Sequence, residues 1–362
     1  MSTIGTPAWQ LTSSCIWNAF RSSGKRHLIL TGGRGTGKTT LLSRLFPEIQ
    51  PGITTWAVPG QGVYLKSNRT GETVPIGVFD PNLPGTENKM RPLASGLDTL
   101  GVQTLETCAR EQSPWATIDE IGYLDTASEA YCAALLALME VKSVAAVVRS
   151  QPLPFLRGLL SRSDVFVVDL DAPFGNLGCV IMASGLGKRF GGNKLMAPFR
   201  GKPLVQWALE ATDGIFSRRV VITRHEDVQT LCARLGAEVV LHNQPLRSDT
   251  VRMGLEALGN TLDGCLFCPG DQPLLRKETV AALALCAKND SAIWRAASGE
   301  TAGSPVLFPS RCFPALRTLP SGKGGGYVIR CSQEPIKTVQ AKPEELRDID
   351  TREALEELEA LP

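Results

Sequence analysis

Short continuous apolar runs recur along the chain, and most of them lead into glycine-rich or polar residues. The strands they predict span 27–30, 144–149, 165–170, 179–182, 219–223, 238–241 and 264–271. Runs of this kind are typical of strands buried on both faces of a parallel sheet. Helical spacing of apolar residues separates them at 41–46, 204–211, 226–235 and 250–258. The alternation predicts an α/β chain with mostly parallel sheets and helices on both faces.

A different pattern interrupts the first half of the chain. Residues 51–92 are rich in glycine and proline, and apolar and polar residues alternate around 62–65 and 76–79. Alternation with a period of two residues is typical of half-buried strands that pair as hairpins. We therefore expect β-hairpins inserted into the first α/β unit.

Length and turn-forming residues indicate two domains. A chain of 362 residues exceeds the usual size of one domain. Residues 171–178 are rich in turn formers and separate two buried strands. We expect an N-terminal lead-in at 1–24, with a short helix near Trp17, a first domain at 25–172 and a second at 178–362.

Charge and composition exclude several classes of partner and compartment. The net charge is +2, which is too balanced for nucleic acid or an anionic membrane as the main partner. The sequence contains neither an apolar run long enough to span a membrane nor an export signal, so we expect a cytoplasmic protein. The ten cysteines are then expected as reduced thiols. Cys265 and Cys268 form the CxxC motif, but their place in a predicted strand argues against a metal site.

The first predicted strand runs into a glycine-rich loop, Thr31 to Thr40. Gly32, Gly37, Lys38 and Thr39 satisfy G-x-x-x-x-G-K-[ST], with a strand before the motif and a helix after it. Backbone N–H groups of 33–39 would cradle a β-phosphate, Lys38 would reach the β- and γ-phosphates, and Thr39 would bind Mg²⁺. The predicted nucleotide-binding residues are Gly32, Gly33, Gly35, Gly37, Lys38, Thr39 and Thr40.

An acidic pair follows another predicted strand in this half. We expect Asp119 to bind Mg²⁺ and Glu120 to orient or activate an attacking water, which favours hydrolysis of the nucleotide. The alternative is an acidic helix start that caps its own N-terminus. Arg149, at the end of a further strand, is expected either to face the phosphates or to form a surface ion pair.

These motifs carry a resemblance to a known family. The loop at 31–41 and the segment Ile118 to Leu124 resemble the small P-loop nucleoside-triphosphatases first named from thermophiles, over roughly residues 26–170. The resemblance implies that Lys38, Thr39, Asp119 and Glu120 bind and hydrolyse ATP or GTP with Mg²⁺.

A second glycine-rich loop follows the strand at 179–182 and holds several cations. Glycines allow backbone N–H groups to approach an anion, and the lysines and arginine supply matching charge. The predicted nucleotide-binding residues are Ala183, Ser184, Gly185, Gly187, Lys188, Arg189 and Lys194. Asp271, at the end of the strand that begins at Gly264, is expected to bind Mg²⁺ at the same sheet edge. The plainer alternatives are a solvated glycine turn and an aspartate that serves as a turn residue or helix cap.

Five motifs in this half resemble those of the MobA-like nucleotidyltransferases, closest to the molybdenum cofactor cytidylyltransferases and guanylyltransferases. They stand at 183–194, 201–204, 270–274, 303–308 and 348–351. The sequence departs from the usual family pattern at Ser184 and Ser304, and it lacks the Asp that often precedes Lys323. The departures concern the choice of nucleobase and acceptor.

This second resemblance implies a Rossmann-like domain with transferase chemistry. A phosphate of molybdopterin or the molybdenum cofactor would attack the α-phosphate of CTP or GTP, and pyrophosphate would leave. Gly185 and Gly187 would bind the triphosphate, Arg189 and Lys194 would neutralise its charge, and Asp271 would hold Mg²⁺. The expected partner is an apo molybdenum hydroxylase. Two alternatives stay open: a sugar- or alcohol-phosphate acceptor, and a nucleotide-driven module that delivers the cofactor to an apo-enzyme.

Overall fold

The chain folds into two compact α/β units in the computed structural model, which describes residues 11–84 and 89–360. The first unit comprises 24–173 with 11–13, and the second comprises 14–23 and 174–360. Helix α1 spans Ser13–Ser23, so almost all of this helix belongs to the second unit.

The first unit is built on a mixed sheet of eight strands. The strands are β1 (His27–Thr31), β2 (Gly52–Val58), β3 (Gly62–Ser67), β4 (Thr73–Phe79), β5 (Met90–Pro92), β6 (Trp115–Ile121), β7 (Ser143–Val148) and β8 (Val165–Asp169). Their order is β5-β4-β3-β2-β6-β7-β1-β8. Strands β2, β6, β7, β1 and β8 are parallel, whereas β2 to β5 pair antiparallel. The predicted hairpins are therefore confirmed, and they extend the parallel sheet through β2.

In the part of the first unit that the structure describes, five helices accompany this sheet. They are α2 (Lys38–Leu45), α3 (Ala94–Gly96), which continues through a π-helical turn (Leu97–Gly101) into α4 (Val102–Arg110), then α5 (Glu129–Val141) and α6 (Pro154–Leu160). The ring of the fully buried Tyr131 on α5 lies 2.9 Å from where a Cβ of Gly101 would stand. A glycine at this position lets the π-helical turn approach α5 closely.

The second unit is built on a sheet of seven strands with a two-stranded ribbon beside it. The strands are β9 (Leu177–Ala183), β10 (Pro198–Phe199), β11 (Lys202–Pro203), β12 (Arg218–Thr223), β13 (Glu238–Leu241), β14 (Gly264–Pro269), β15 (Ile293–Ser298), β16 (Thr301–Pro309) and β17 (Ile336–Gln340). The order of the large sheet is β13-β12-β9-β14-β16-β15-β17. Strands β13, β12, β9 and β14 are parallel, while β16 runs antiparallel to both neighbours.

The helices of the second unit, besides α1, are α7 (Leu204–Thr212), α8 (Glu226–Arg234), α9 (Arg247–Leu258), α10 (Lys277–Asn289), α11 (Phe313–Arg317), α12 (Gly325–Cys331) and α13 (Arg352–Glu359). Helix α1 is hydrogen-bonded into this unit: Asn18 Nδ2 donates to the carbonyl of Gln340 at 2.7 Å, and Cys286 Sγ lies 3.3 Å from the carbonyl of Ala19. The segment before the first unit therefore completes the second.

The predicted α/β class with mostly parallel sheets is confirmed. All ten cysteines are free thiols, and Cys265 and Cys268 are buried within β14. Within the parts of the chain that the structure describes, no helix combines the length and the apolar character needed to cross a bilayer.

Candidate active sites

The lysine that follows the loop after β1 is hydrogen-bonded to backbone carbonyls of that loop. Gly32 and Gly37 have φ of +137° and +88°, a backbone region that favours glycine. Lys38, at the first position of α2, donates from Nζ to the carbonyls of Gly32 (3.0 Å) and Gly33 (2.6 Å). The N–H of Gly33 donates to Asp171 Oδ2 at 2.7 Å, which joins the loop to the chain after β8. The ammonium of Lys38 is thus bound by two carbonyls of its own loop.

Thr39 and Asp119 meet at the carboxyl ends of β1 and β6. Thr39 Oγ1 donates to Asp119 Oδ1 at 3.0 Å. Asp119 is 8% exposed, and burial raises the pKa of its carboxyl, an effect that the hydrogen bond from Thr39 opposes. A hydroxyl and a carboxylate in contact are oxygen ligands that Mg²⁺ prefers. The predicted pair therefore fits a magnesium ion shared with nucleotide phosphates.

Glu120 is held by an arginine from the next strand. Arg149 Nη2 donates to Glu120 Oε2 at 3.0 Å, so Arg149 takes the ion-pair alternative of the two that the sequence leaves open. The Arg149 side chain lies across Gly122, where a Cβ would stand 2.9 Å from Arg149 Cδ. Asp125 fixes the same turn, because its Oδ2 accepts from the N–H of Gly122 at 2.7 Å.

Asp125 was not selected from the sequence, and it is the most strongly perturbed carboxyl of this region. It is 3% exposed, and its Oδ1 has no hydrogen-bond partner among the described residues. Burial raises the pKa of Asp125 to about 7, although the hydrogen bond from Gly122 works in the opposite direction. A small cavity of about 20 Å³ borders Asp125 and Glu120.

In the second unit, the glycine loop after β9 is a tight turn that requires Gly187. This residue has φ of +60°, and a Cβ on it would stand 2.0 Å from the carbonyl oxygen of Gly192. The carbonyl of Gly187 accepts from the N–H groups of Phe190 and Gly191, both at 3.0 Å. Asn193 then caps a short 3₁₀ turn that begins at Lys194. The turn separates exposed residues of the loop, Lys188 and Arg189, from the buried Lys194.

Lys194 lies between two carboxylates. Its Nζ is 2.6 Å from Asp271 Oδ2 and 2.9 Å from Asp350 Oδ1, and its side chain is 8% exposed. Burial alone would lower the pKa of Lys194, but the two carboxylates outweigh it and the pKa is raised. The hydrogen bond from Lys194 lowers the pKa of Asp350. Arg189 Nη2 contacts the other oxygen of Asp350 at 2.6 Å.

Asp350 belongs to this cluster, although no role was predicted for it from the sequence. The segment at 348–351 stands out in the sequence as a motif, and that was the available signal. The N–H of Ile349 donates to the carbonyl of Asp271 at 3.0 Å, which ties this segment to the end of β14. Burial and the nearby Asp271 raise the pKa of Asp348, whose Oδ1 accepts from Gln272 Nε2 at 2.9 Å. The cluster is assembled from three distant parts of the chain.

Ser184 has two partners on its inner side. Its Oγ donates to the carbonyl of Ile222 at 3.0 Å and lies 2.7 Å from Nε2 of His242. Since Nδ1 of His242 accepts from the N–H of Gln244, Nε2 carries the proton and donates to Ser184. Burial and the nearby Arg224 lower the pKa of His242, which keeps the imidazole neutral.

A cavity of about 690 Å³ opens beside these groups. Of the predicted residues, Ser184, Gly185, Lys194 and Asp271 line it. Ala183, at the end of β9, does not line it, and neither do Gly187, Lys188 and Arg189 of the adjoining loop. Further lining residues, which were not selected as site residues from the sequence, are Arg224, Arg247, Arg295, Ser304, Lys323 and Arg330.

The single carboxylate at this cavity fits a magnesium ion that is bound mainly by the phosphates of the substrate. Among residues 11–84 and 89–360, no three His, Cys, Asp or Glu side chains are grouped to hold a metal by themselves. Asp271 nevertheless borders the cavity through a carboxylate that is 19% exposed, and Mg²⁺ commonly uses one or two carboxylates together with substrate phosphates.

Comparison with known proteins shows a family to which this half is similar. Residues 179–338 match the family model of the MobA-like NTP transferase domain. The matched residues lie within the second unit, so this unit is similar to a MobA-like NTP transferase domain. Transfer of a nucleotidyl group from a nucleoside triphosphate agrees in kind with a cavity lined by glycines, cations and one carboxylate.

Two relatives show the range of this similarity. A protein named "Probable molybdenum cofactor guanylyltransferase" from Bacillus licheniformis is 28% identical over 189 residues, which are 50% of this chain and 95% of the relative. The "Nicotine blue oxidoreductase" of Paenarthrobacter nicotinovorans is 28% identical over 190 residues, 49% of this chain and 93% of the relative.

The solved structure of THEP1 from the hyperthermophile Aquifex aeolicus is also similar to part of the chain. The match covers 40% of this chain and 89% of that one, at 18% identity and a TM-score of 0.35. A similarity of this strength adds nothing to the functional argument for the first unit, which depends on the loop and the acidic pair described above.

Proposed function

We propose that the second unit transfers CMP or GMP from CTP or GTP to the phosphate of molybdopterin or the molybdenum cofactor. An oxygen of the acceptor phosphate attacks the α-phosphorus, a new P–O bond forms, and the bond to the β-phosphate oxygen breaks as pyrophosphate leaves with the electron pair. The observation that carries the proposal is Lys194 between Asp271 and Asp350 at the mouth of the glycine loop.

Different residues of the site would serve different parts of this reaction. Backbone N–H groups at Gly185 and Gly187 bind the triphosphate, and Lys194 with Arg189 stabilises the charge that develops on the pyrophosphate. Asp271 would hold Mg²⁺, which neutralises phosphate charge when bound. Because Lys194 has a raised pKa, it keeps its charge throughout the neutral range. Ser184 lies at the inner wall, where the nucleobase is read.

The molybdenum acceptor rests on similarity rather than on geometry. The named function of the Bacillus licheniformis relative and the five motifs support it, and maturation of an apo molybdenum hydroxylase would be the corresponding role. A sugar-phosphate or alcohol-phosphate acceptor would use the same chemistry.

We further propose that the first unit binds and hydrolyses ATP or GTP. Lys38 would bind the β- and γ-phosphates, Thr39 and Asp119 would hold Mg²⁺, and Glu120 would orient the attacking water. The hydrogen bond between Thr39 and Asp119 supports this assignment, since the two predicted metal ligands lie 3.0 Å apart.

Pyrophosphate release tests the transferase proposal directly. The full chain would be incubated with Mg²⁺, molybdopterin or its molybdenum form, and CTP, GTP, ATP or UTP in turn, beside Asp271→Ala and Lys38→Ala. We expect pterin-dependent release with CTP or GTP that is lost in Asp271→Ala and retained in Lys38→Ala.

Two other results would redirect the proposal. Release that requires a sugar or alcohol phosphate instead of the pterin would keep the chemistry and change the acceptor. Phosphate release alone, dependent on Lys38 and stimulated by an apo molybdenum hydroxylase, would contradict transfer and favour nucleotide-driven delivery.

A further inference from the structure

The cavity of the second unit contains more positive charge than its acidic groups balance. Its lining holds one carboxylate, Asp271, which together with Asp350 neutralises Lys194. None of the other basic side chains of the lining forms an ion pair with a residue that the structure describes. These cations are Arg224, Arg247, Arg295, Lys323 and Arg330.

Arg295 is the most informative of them because it is partly buried without a counter-charge. It stands on β15 and donates from Nε to the carbonyl of Gly303 (3.3 Å) and from Nη2 to the carbonyl of Ala302 (3.0 Å). Burial lowers the pKa of its guanidinium, and no acidic group offsets the effect. A buried charge is costly unless an opposite charge accompanies it. A bound anion would supply that charge.

Three further cations, Arg247, Lys323 and Arg330, line the same cavity, and neighbouring glycines allow their elements to pack closely. The N–H of Gly322 donates to Ser248 Oγ at 3.3 Å, which ties the segment before α12 to the start of α9. A Cβ on Gly324 would stand 3.0 Å from Arg247 Cδ, and one on Gly325 would stand 2.9 Å from the ring of Phe308. The close approach that these glycines allow places Lys323 and Arg330 in the lining beside Arg247 on α9.

We propose that Arg295, Arg247, Lys323 and Arg330 form a second anion site, which binds the acceptor of nucleotidyl transfer through a phosphate group. The inference rests on the proposed function, since it names the acceptor site of that reaction. The triphosphate has its own cations in the glycine loop, Lys188 and Arg189, and it has Lys194. Arg295, Arg247, Lys323 and Arg330 stand outside that loop and line the cavity without an ion-pair partner among the described residues, so they are placed to bind a separate anion. Arg224 also lines the cavity, but it lies near His242, the partner of Ser184, and it is not part of this set.

Orthophosphate is the probe for this site. We would saturate the full chain with the Mg²⁺ complex of α,β-methylene CTP or GTP and titrate orthophosphate, following ³¹P NMR. Charge-assisted hydrogen bonds are worth enough that Arg295→Gln and Arg330→Gln should each raise the phosphate Kd about tenfold or more. The Kd of the nucleotide analogue should change less than about twofold. Raising the salt concentration should weaken phosphate binding.

Two control variants separate charge from folding. Arg295→Lys keeps the positive charge and should retain phosphate binding within about threefold, which a purely structural role for the guanidinium would not predict. Arg234→Gln removes an exposed arginine of α8 that does not line the cavity, and it should change neither Kd. Absence of phosphate binding to the saturated wild type, or loss of analogue binding with phosphate binding unchanged, would overturn the inference.

Acceptor kinetics distinguish this inference from the proposed function. If phosphate binding responds to the variants but no acceptor supports pyrophosphate release, transfer fails and the anion site stands. If release occurs but Arg295→Gln and Arg330→Gln leave the acceptor KM unchanged, the anion site fails and transfer stands. An uncharged alcohol accepted as readily as its phosphate ester would also contradict the anion site.

Discussion

Lys194 Nζ lies 2.6 Å from Asp271 Oδ2, although the lysine follows a glycine loop and the aspartate follows another strand. The contact pairs the lysine that would neutralise phosphate charge with the aspartate that would bind Mg²⁺. It also means that neither side chain has to be held in place by a ligand. Preorganised charges of this kind contribute more to transition-state stabilisation than charges that must move during the reaction.

Lys194 and Arg189 should contribute unequally to transfer. Lys194→Met should lower kcat/KM for pyrophosphate release by about a hundredfold or more, because a buried cation acts in a site of low dielectric constant. Arg189→Gln should cost about tenfold or less, since the Arg189 side chain is 71% exposed and screened by water. Steady-state kinetics of both variants test the order, and a larger loss for Arg189→Gln would contradict it.

Gly187→Ala should impair nucleotide binding without unfolding the protein. The new Cβ would meet the carbonyl oxygen of Gly192 at 2.0 Å, so the loop must open and misplace its N–H groups. We expect the Kd for CTP or GTP to rise about tenfold or more in a calorimetric titration.

Gly191→Ala is the matched control for that variant. Gly191 also has a positive φ, +77°, but open space surrounds its Cβ position. It should weaken binding less than Gly187→Ala, because only backbone strain is added. Equal losses in the two variants would show that the close contact at Gly192 is unimportant.

Asp125 should make the first unit less stable as pH rises. Its pKa is raised to about 7 in the folded protein, whereas the pKa of an aspartate in an unfolded chain is about 3.9. Between these values the folded state binds the extra proton, so stability falls from about pH 4 to about pH 7 and then levels. Asp125→Asn should flatten this slope and stabilise the protein at pH 8 by up to about 4 kcal/mol.

Urea unfolding of wild type and Asp125→Asn at pH 5 and pH 8 provides the measurement. Glu129→Gln is a suitable control, since Glu129 is an exposed acid at the start of α5. It should leave the slope unchanged. An equal pH dependence in wild type and Asp125→Asn would mean that Asp125 titrates normally.

The ion pair between Arg149 and Glu120 should matter for hydrolysis in the first unit. Glu120→Gln should lower phosphate release about a hundredfold or more while nucleotide binding persists, because the glutamine cannot accept a proton from water. Arg149→Gln should lower kcat less, through misplacement of Glu120, and Arg149→Lys should restore part of the loss. Retention of full activity in Glu120→Gln would remove it as the general base.

The local sequence was sufficient to predict both glycine loops, the buried strands that precede them and the acidic pair, which the structure places near the end of β6. Each depends on residues adjacent in the chain: glycines that relieve steric limits on the backbone, and apolar runs that must be buried from water. The hairpins of 51–92 were equally visible, because alternation along a strand is a property of neighbouring residues.

Tertiary structure alone decided which distant groups meet. Asp350 joins Lys194 because the segment after β17 is hydrogen-bonded to the end of β14. Arg149 neutralises Glu120 through parallel pairing of β6 and β7, and Asp125 acquires its raised pKa mainly through burial. The antiparallel β16 and the place of α1 in the second unit were likewise not predicted. Such contacts depend on strand order and packing, which the spacing of residues along the chain does not encode locally.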